Sequence, residues 1–252
     1  MELGLKGKKA IITGGSRGIG KAIAEIFADE GVQLALCARN GDGLAATSRE
    51  LEARGSAVFH KVVDVGDGAA LRAFIAEAVT AMDGLDILVH NASAFGGVDE
   101  ESWTRSFNID LMGAVRGVEA ALPALERSDA ASVVFIGTTA AVETFIAPRS
   151  YNALKAGLIV HSNGLSQELG PKGIRVNTVS PGPIYFEGGP WDRHKQNNPA
   201  FYEATRDKCA LGRMGTPQEL ANAVAFIASP AAAFITGANL IVDGGLTKRV
   251  DF

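Results

Sequence analysis

A tyrosine and a lysine four positions apart offer the most specific chemistry in this chain. Tyr151 and Lys155 lie in the stretch Ser-Tyr-Asn-Ala-Leu-Lys, which begins a helical pattern, so both side chains share one helix face. A phenol ionises near pH ~10, and a nearby ammonium group favours the phenolate and lowers that pKa. The pair could therefore move a proton at neutral pH. A surface helix with an unrelated Tyr and Lys is the alternative, because this spacing is common by chance.

The composition is that of an ordinary globular protein. Of 252 residues, 47% are apolar and 21% are charged, which is ample material for a core. The net charge of −4 argues against nucleic-acid binding, and no apolar run reaches the ~20 residues of a membrane span. The polar N-terminus leads straight into a strand-like run, so no signal peptide is expected. Cys37 and Cys209 lack metal-type spacing, so we expect free thiols, no metal and a soluble, cytoplasmic protein.

A glycine-rich segment near the N-terminus has the arrangement of a phosphate-binding turn. It follows the apolar run from Lys9 to Thr13, which is typical of a buried strand, and precedes a helical pattern from Lys21 to Glu30. Glycines let the backbone approach a pyrophosphate, and the helix N-terminus presents free N–H groups. Tight turns use the same residues, but the flanking strand and helix favour nucleotide binding. The expected contacts are Gly14, Ser16, Arg17, Gly18, Ile19 and Gly20.

The end of the second predicted strand bears on the choice of dinucleotide. This strand is followed by Arg39 and Asn40, with no carboxylate before Asp42. An acidic residue there would bond the ribose 2′-hydroxyl of NAD, whereas an arginine accommodates the 2′-phosphate of NADP. Each arginine alone could be a solvated surface charge. Because Arg17 supplies a second cation nearby, the sequence favours NADP, with NAD as the less favoured cofactor.

Strands and helices alternate along the chain at short spacing. This alternation predicts an α/β fold: a Rossmann-like, doubly wound, seven-stranded parallel sheet with helices on both faces, in a single domain over residues 1–252. Right-handed crossovers place the carboxyl end of every strand on one edge, where ligands bind. Asp64 and Val65 follow the third strand, where an adenine edge would lie. The predicted strands are residues 9–13, 32–38, 57–63, 85–89, 132–137, 173–180 and 239–242.

Further polar side chains lie where they could reach that edge. Asn108 is one to two turns into a long predicted helix from Trp103 to Glu126, where an inward amide could bond a buried carbonyl or hold a water. It could equally be an ordinary polar helix residue. Thr138 and Thr139 follow the fifth strand, so their hydroxyls are also placed near the ligand edge.

Taken together, these residues resemble the short-chain dehydrogenase/reductase family of the single-domain type, over essentially the whole chain. Asn108, Tyr151 and Lys155 match the catalytic Asn, Tyr and Lys of that family, and Pro181-Gly182 matches its nicotinamide-side turn. The other matching motifs are Thr13-Gly14-x-x-x-Gly18-x-Gly20, Asp64, Asn91-Ala92 and Val242-Asp243-Gly244-Gly245.

The resemblance implies hydride transfer between a nicotinamide and a carbonyl carbon, with Tyr151 as general acid and base. Lys155 would lower the pKa of Tyr151 and hold the nicotinamide ribose, and Asn108 would hold a water that links Lys155 to solvent. Together with the turn residues, Arg39, Asn40, Asp64 and Val65, the implied cofactor contacts are Asn91, Ala92, Tyr151, Lys155, Pro181, Gly182 and Ile184.

Two departures from the family pattern concern the substrate side. Thr138 stands thirteen residues before Tyr151, where the family usually has its catalytic Ser. Threonine keeps a hydroxyl that can donate to a substrate oxygen, but its β-branch stiffens χ1 and adds a methyl group. The spacing favours Thr138 over Thr139 for this role. His90 and Ser93 replace the usual Asn and Gly around Asn91-Ala92, and Ser93 would narrow the site.

Residues 183–211 fall where the family places its substrate-covering lid. This segment holds Tyr185, Phe186, Trp191, Phe201 and Tyr202, with a hinge-like Gly188-Gly189-Pro190 and a short helix predicted from Pro199 to Lys208. These rings either pack the lid onto the body or line a pocket with Phe95, Phe145 and Ile146. The second interpretation indicates an apolar or ring-containing carbonyl or alcohol as substrate.

Two other functions stay open at this point. One is reduction of a 3-oxoacyl chain on acyl-carrier protein, an acidic partner that needs a basic docking face; the end of the long predicted helix, Glu126-Arg127-Ser128-Asp129, is mixed in charge. The other is a non-catalytic sensor of NADP(H), which only the Thr138 change favours. The resemblance also implies a homotetramer.

Overall fold

Seven strands form one parallel sheet within residues 2–144 and 148–250, the part of the chain that the computed structural model describes. They are Lys9–Thr13 (β1), Gln33–Ala38 (β2), Val58–Val62 (β3), Ile87–His90 (β4), Ser132–Ile136 (β5), Arg175–Pro181 (β6) and Asn239–Val242 (β7). Their order in the sheet is β3-β2-β1-β4-β5-β6-β7. The predicted Rossmann-like sheet is confirmed.

Both faces of the sheet are buried, and the strand sequences explain why. In β1, Ala10 and Ile12 pack into the core on one face, while Ile11 packs into the core on the other. Successive side chains of a strand point to opposite faces, so a strand with helices on both sides needs a continuous apolar run. Such runs are visible in the sequence, which is why the strands could be located from it.

Helices cover the sheet on both faces. One layer contains Gly18–Asp29 (α1), Gly41–Ala53 (α2) and Pro217–Ala228 (α9), and the other contains Gly68–Met82 (α3), Met112–Leu125 (α5) and Ser150–Leu169 (α6). The remaining helices are Glu100–Ser106 (α4), Pro190–Asn197 (α7) and Pro199–Arg206 (α8). None of the helices described is both long and apolar enough to cross a bilayer.

The long helix predicted from Trp103 to Glu126 is interrupted. A π-helical turn, Phe107–Leu111, lies between α4 and α5. Such turns are rare, and they re-aim side chains at functional sites more often than elsewhere. Here the turn carries Asp110, whose side chain is fully buried. Hydrophobic periodicity does not distinguish a π turn from an α turn, so this feature was not predictable from the pattern.

The segment after β6 is more ordered than the sequence indicated. Only the helix that begins at Pro199 was predicted, but α7 precedes it and begins at Pro190, the third residue of the predicted hinge. Asn198 separates the two helices and caps α8 by accepting a hydrogen bond from the N–H of Phe201 at 3.2 Å. Phe145 and Ile146, which were predicted to line the pocket with these rings, lie outside the described residues.

Candidate active site

The carboxyl ends of the central strands open into a cavity of about 420 Å³. Its walls contain residues from the ends of β4, β5 and β6, the N-terminal half of α6, and the lid segment. Tyr151, Lys155 and Thr138 all lie on these walls. The sequence argument placed ligands at this edge of the sheet, and the structure has a cavity there.

A second cavity, of about 610 Å³, lies beside the amino ends of the strands, near Lys9 and Asp86. Two of the charged side chains that line it are already bonded to the protein. Asp86 accepts a hydrogen bond from the backbone N–H of Lys9 at 2.8 Å, and the Lys9 ammonium donates to the carbonyl of Asp83. None of the predicted site residues lines this cavity. We therefore place the active site at the smaller cavity.

The glycine-rich turn has the close backbone packing of a phosphate cradle. Gly14 and Gly18 have φ angles of 72° and 55°, which favour glycine. A Cβ at Gly20 would lie 2.3 Å from the carbonyl oxygen of Gly14. The side-chain amide of Asn91 donates to the carbonyls of Thr13 and Gly14 at 3.0 and 3.1 Å, which fixes the turn against the end of β1.

The same turn leads into α1, whose first N–H groups have no partner within the helix. No acidic side chain lies in the first turn of α1, and Arg17 precedes it. Bare backbone, a helix N-terminus and a cation fit a pyrophosphate group. Ser16 and Ile19 are half-buried beside this turn, and Ile19 also lines the cavity.

The predicted ribose-side residues lie on the surface beyond this turn. Arg17 and Arg39 are exposed, and neither guanidinium forms an ion pair or side-chain hydrogen bond with a described residue. Asn40 caps α2 by accepting from the N–H of Gly43 at 2.7 Å. Asp64 is exposed, and it accepts from the N–H of Gly66 at 2.9 Å. Val65, the next residue, is buried.

Thr138 and Tyr151 are brought together at the inner wall. Both side chains line the cavity, and Thr138 is near enough to the phenol to lower the pKa of Tyr151. Thr138 also accepts a hydrogen bond from the N–H of Ala140 at 3.2 Å, so its own hydroxyl proton is available to the cavity or to Tyr151. Thr139 also lines the cavity, but its hydroxyl donates to the carbonyl of Pro181 at 3.3 Å. Of the two threonines, only Thr138 affects the pKa of the tyrosine.

An aromatic ring covers the outer side of Tyr151. Phe95 stacks on it with ring centroids 5.4 Å apart and an interplanar angle of 22°. Phe95 has a φ of 50°, a backbone conformation that costs energy for a bulky residue, and its side chain is 61% exposed. A strained, exposed aromatic on the proton-transfer residue indicates a functional position, and Phe95 lines the cavity as predicted.

Lys155 lies deeper, below the tyrosine. Its ammonium donates to the carbonyl of Ile136 at 2.8 Å and is 3.4 Å from Oδ1 of Asp110. Both side chains of this ion pair are shielded from solvent, with exposed fractions of 2% and 0%. The other carboxylate oxygen of Asp110 accepts from the N–H of Ala94 at 3.2 Å. A buried carboxylate without a cationic partner would be costly, so the pair is a fixed part of the site.

The side-chain amide of Asn108 donates to the carbonyl of Thr104 at 3.1 Å, one turn back along the chain. Asp110 is two residues further along the π turn, so its side chain points to the opposite side of the helix and contacts Lys155. The predicted role of Asn108, to hold a water that links Lys155 to solvent, stays a prediction. No motif or spacing in the sequence indicated Asp110 as the partner of Lys155.

The electrostatics also differ from the prediction. Burial of the hydroxyl of Tyr151 raises its pKa to about 12, the hydrogen bond from Thr138 opposes this rise, and the negative charge of Asp110 adds to it. Burial likewise lowers the pKa of Lys155, and the Asp110 carboxylate opposes that change. We predicted a Tyr151 pKa lowered by Lys155. In this structure the ammonium is directed to Asp110 and Ile136 instead, and Tyr151 is an unionised proton donor.

His90 and Ser93 surround the predicted contacts Asn91 and Ala92. His90 is buried, with Nδ1 3.4 Å from the hydroxyl of Thr13. Burial and the positive charge of Lys155 lower the pKa of His90 to about 3, so it is neutral at pH 7. Ser93 lines the cavity, and its hydroxyl accepts from the N–H of Phe95 at 3.2 Å. Ser93 thus borders the cavity and holds the strained Phe95 backbone, and whether it narrows the site stays a prediction.

The turn after β6 forms the floor of the cavity. Pro181, Gly182 and Ile184 all line it. A Cβ at Gly182 would lie 2.5 Å from the Cβ of Asp243, so this turn needs glycine to pack against the C-terminal segment. Ile184 is buried and pairs with Gly215 in an isolated parallel bridge. These contacts fix the three predicted nicotinamide-side residues without occupying the space above them.

The five lid aromatics divide into two groups. Phe186, Trp191 and Phe201 line the cavity, and Trp191 stacks on Phe201 at 5.6 Å between centroids. Tyr185 and Tyr202 instead contact each other edge to face at 6.1 Å, outside the cavity lining. Both interpretations of the aromatic cluster are therefore correct in part, since two rings pack the lid and three face the cavity.

A proton-transfer group beside a nucleotide-type glycine turn, on a doubly wound parallel sheet, defines an oxidoreductase of the dinucleotide-fold class. Residues 14–247 match the family described as Enoyl-(Acyl carrier protein) reductase. The chain belongs to the short-chain dehydrogenase/reductase family, and it is a dehydrogenase/reductase enzyme that acts on carbonyl or alcohol substrates.

Three relatives illustrate the similarity. Isoepoxydon dehydrogenase of Penicillium expansum is 38% identical over 254 residues, which cover 99% of this chain and 98% of that protein. The 3-oxoacyl-[acyl-carrier-protein] reductase of Vibrio harveyi is 34% identical over 249 residues, with 97% and 99% covered. The crystal structure of L-sorbose reductase from Gluconobacter frateurii, complexed with NADPH and L-sorbose, has a TM-score of 0.91 at 31% identity and covers 99% of this chain and 100% of that chain.

Proposed function

We propose that this enzyme interconverts a carbonyl and a secondary alcohol with NADP(H) as the hydride carrier. The observation that carries the proposal is the cavity next to the glycine-rich turn, which Thr138, Tyr151 and Lys155 line together. NADP(H), when bound, supplies or accepts the hydride. The turn from Gly14 to Gly20 would hold its pyrophosphate, and Pro181, Gly182 and Ile184 would border its nicotinamide.

Tyr151 would transfer the proton to or from the substrate oxygen. Because its pKa is raised to about 12 in the structure, the phenol is protonated at neutral pH and suits carbonyl reduction as a general acid. Thr138 would donate a second hydrogen bond to the same oxygen, and a single well-placed donor of this type contributes about 2–4 kcal/mol. Phe95, stacked on Tyr151, would limit the angle from which a substrate approaches.

Lys155 and Asp110 would support this proton transfer from the buried side of Tyr151. The ion pair holds the ammonium near Tyr151, and one carboxylate oxygen accepts no hydrogen bond from a described residue. We assign Asp110, rather than Asn108, as the residue of the π turn that positions Lys155. A carboxylate retains the ammonium more strongly than an amide would, because the pair is buried. Lys155 would then contact the nicotinamide ribose while it stays tied to the protein.

Two exposed arginines support NADP over NAD. Arg39 follows β2, and Arg17 lies in the glycine-rich turn, so both flank the expected ribose position. The described residues offer neither guanidinium an ion-pair partner. L-sorbose reductase, which is similar in fold, was solved in complex with NADPH. Asp64, Val65, Asn91 and Ala92 stay proposed contacts to the rest of the cofactor.

A small apolar or ring-containing molecule fits the cavity best. Residues 183–211 would act as its lid, since Phe186, Trp191 and Phe201 face the cavity from this segment. The relatives named for isoepoxydon and L-sorbose are consistent with a small cyclic or polyhydroxy substrate. Hydroxyls at the inner end and aromatic rings at the outer end give the cavity two chemically distinct ends.

The relative in Vibrio harveyi supports a 3-oxoacyl group on acyl-carrier protein as the second candidate. Against it, two of the basic groups near the end of α5 are already neutralised. Lys172 pairs with Glu126 at 2.7 Å, and Lys8 pairs with Asp129 at 2.7 Å. The third candidate, a sensor without turnover, would not need a hydroxyl at Thr138 that faces Tyr151.

The enzyme is further proposed to be a homotetramer, as in the family that it resembles. Val160, on the outer side of α6, is 73% exposed, and Phe234 is fully exposed. Apolar side chains at such positions are consistent with faces that another subunit covers. Light scattering on a size-exclusion column would measure the mass directly.

The decisive experiment is loss of NADPH absorbance with a panel of cyclic ketones, aldehydes and acetoacetyl thioesters. Turnover of a ketone but not of thioesters would support the main proposal, and the reverse would support the second candidate. NADPH binding, measured by fluorescence, with no turnover of any compound would favour the sensor.

A further inference from the structure

The cavity has a cationic outer rim that the proposed reaction does not use. We propose that this rim binds an oxyanion group of the substrate, a carboxylate or a phosphate, through Arg149, Arg193 and Lys208. The inference rests on the proposed carbonyl chemistry and names the substrate class: a carbonyl compound with an apolar body and an anionic end.

The charged side chains that line the cavity in the described part of the chain are all basic. Among the described residues that line it are Arg149, Lys155, Arg193 and Lys208, together with His194, and no aspartate or glutamate. Lys155 is paired with Asp110. The three other cations lie on the lid or beside it. A cavity lined by one sign of charge attracts ligands of the opposite sign.

The excess of cations in the cavity lining does not follow from the composition of the lid. Residues 183–211 contain four basic residues, Arg193, Lys195, Arg206 and Lys208, and four acidic ones, Glu187, Asp192, Glu203 and Asp207. The fold separates them, since only the two basic residues Arg193 and Lys208 face the cavity.

The acidic residues closest in sequence to those cations are bonded elsewhere. Asp192 accepts hydrogen bonds from the hydroxyl of Tyr185 at 3.0 Å, the N–H of Gly188 at 2.9 Å and the amide of Gln196 at 3.1 Å. Asp207 pairs with Arg206 at 2.8 Å. Neither carboxylate is available to neutralise the rim.

The cations of the rim come from separate elements that meet at one cavity, and Arg149 and Arg193 both act on His194. Arg149 precedes α6 and Arg193 is in α7. Burial is the largest cause that lowers the pKa of His194, and the positive charges of both arginines lower it further. Arg193 uses one N–H on the carbonyl of Gly188 at 3.1 Å. Arg149 and Lys208 form no ion pair or side-chain hydrogen bond with a described residue. Several converging donors without acceptors match an oxyanion, which accepts charge-assisted hydrogen bonds.

The rim is separate from the groups assigned to the cofactor phosphates. Arg17 and Arg39 do not line this cavity, whereas the rim cations do. Trp191 and Phe201 also line the cavity, and their rings stack on each other and contact the ring of His194. A ligand that fills the cavity would therefore meet the hydroxyls of Thr138 and Tyr151, aromatic rings and the cations.

The test compares matched substrates with the full-length enzyme. One pair is a cyclic keto acid and its methyl ester, and the other is a keto phosphate and the free keto alcohol. We expect kcat/KM for one charged member to exceed that of its neutral partner by about tenfold or more, the effect of one or two charge-assisted hydrogen bonds. Which pair discriminates identifies the anion. Equal kcat/KM within both pairs overturns the inference.

Variants locate the effect. Arg193→Gln and Lys208→Gln should each raise KM for the charged substrate about tenfold and leave its kcat unchanged. The kinetic constants for the ester and the NADPH dissociation constant should not change either. Lys195→Gln removes the same charge from the same lid, but Lys195 lies over the rings of Tyr185 and Tyr202 outside the cavity. Lys195→Gln should leave unchanged the ratio of kcat/KM for the charged substrate to kcat/KM for the neutral one. An equal effect of Lys195→Gln would overturn the assignment to the rim.

A binding measurement separates this inference from the proposed reaction. Calorimetry should show that benzoate binds the NADPH-saturated enzyme more tightly than benzamide, and that Arg193→Gln removes the difference. This result supports the anion site even where no ketone is turned over, in which case only the carbonyl chemistry fails. Turnover of neutral ketones with no preference for benzoate would instead support the reaction and overturn the anion site.

Discussion

The ammonium of Lys155 lies 3.4 Å from the carboxylate of Asp110 in the buried layer beneath Tyr151. This ion pair changes how the proton-transfer residue is tuned. An ammonium alone would lower the pKa of Tyr151, whereas the negative charge of the carboxylate next to it raises that pKa. The pair fixes the position of Lys155 more than it activates Tyr151.

Asp110→Asn should shift the pH dependence of the reaction. Alcohol oxidation needs the phenolate, so its rate rises as pH increases toward the pKa of Tyr151. Because the Asp110 charge raises that pKa, its removal lowers the pKa, and the rise should begin at a lower pH. Profiles of kcat/KM against pH in the oxidation direction measure this shift, and His90 adds no step because it stays neutral.

Controls for Asp110→Asn are Asn108→Ala and Asp110→Ala. Asn108 bonds only the carbonyl of Thr104 on the outer side of its helix, so Asn108→Ala should leave the profile unchanged. Asp110→Ala leaves a buried ammonium without its partner and should lower the free energy of unfolding by about 3–5 kcal/mol. If Asn108→Ala, and not Asp110→Asn, moves the profile, then Asn108 is the positioning residue.

This pair also shows what the sequence could and could not reveal. The strands, the glycine-rich turn and the Tyr151 helix follow from apolar periodicity and glycine spacing, which are local properties. Asn108 and Asp110 are two positions apart, and the choice between them depends on a π turn that local periodicity does not encode. Lid orientation is equally non-local, since only packing decides which of the balanced charges in residues 183–211 face the cavity.

Tyr151→Phe should abolish proton transfer and leave cofactor binding intact. The substitution removes only the phenol hydroxyl and keeps the ring that stacks on Phe95, so the fold should not change. We expect kcat to fall by about 10²–10⁴-fold, the usual contribution of a general acid or base. Loss of NADPH oxidation, together with an unchanged NADPH dissociation constant from fluorescence titration, would establish Tyr151 as the proton-transfer residue.

The matched control is Tyr202→Phe. Tyr202 contacts Tyr185 in the lid and does not line the cavity, so loss of its hydroxyl should leave kcat within a factor of about two. Turnover retained in Tyr151→Phe would remove Tyr151 from the proposed mechanism.

Substitutions at Thr138 test the second donor to the substrate oxygen. Thr138→Ser keeps the hydroxyl and should retain most activity, whereas Thr138→Val keeps the shape and loses the donor. Loss of such a donor typically lowers kcat by about 10²–10³-fold. Thr139→Val is the matched control, because Thr139 donates to the carbonyl of Pro181 and not to the cavity centre. Equal losses in both valine variants would show that the hydroxyl of Thr138 has no special role.

Arg39→Asp should change the cofactor preference from NADP towards NAD. The guanidinium follows β2 and has no ion-pair partner among the described residues, so its removal leaves no internal carboxylate unpaired. Loss of a charge-assisted hydrogen bond to the 2′-phosphate costs about 1.5–3 kcal/mol, or about 10–100-fold in the NADPH dissociation constant. The new carboxylate can bond the 2′-hydroxyl of NADH and repels the phosphate. Fluorescence titration of both cofactors measures the two dissociation constants directly.

The matched control is Arg49→Asp, which makes the same change on the exposed side of α2. Of the described residues, the guanidinium of Arg49 bonds only the carbonyl of Ala45, so this variant should change neither dissociation constant. A shift of both variants by the same factor would mean that net charge, and not a specific contact at Arg39, sets the preference.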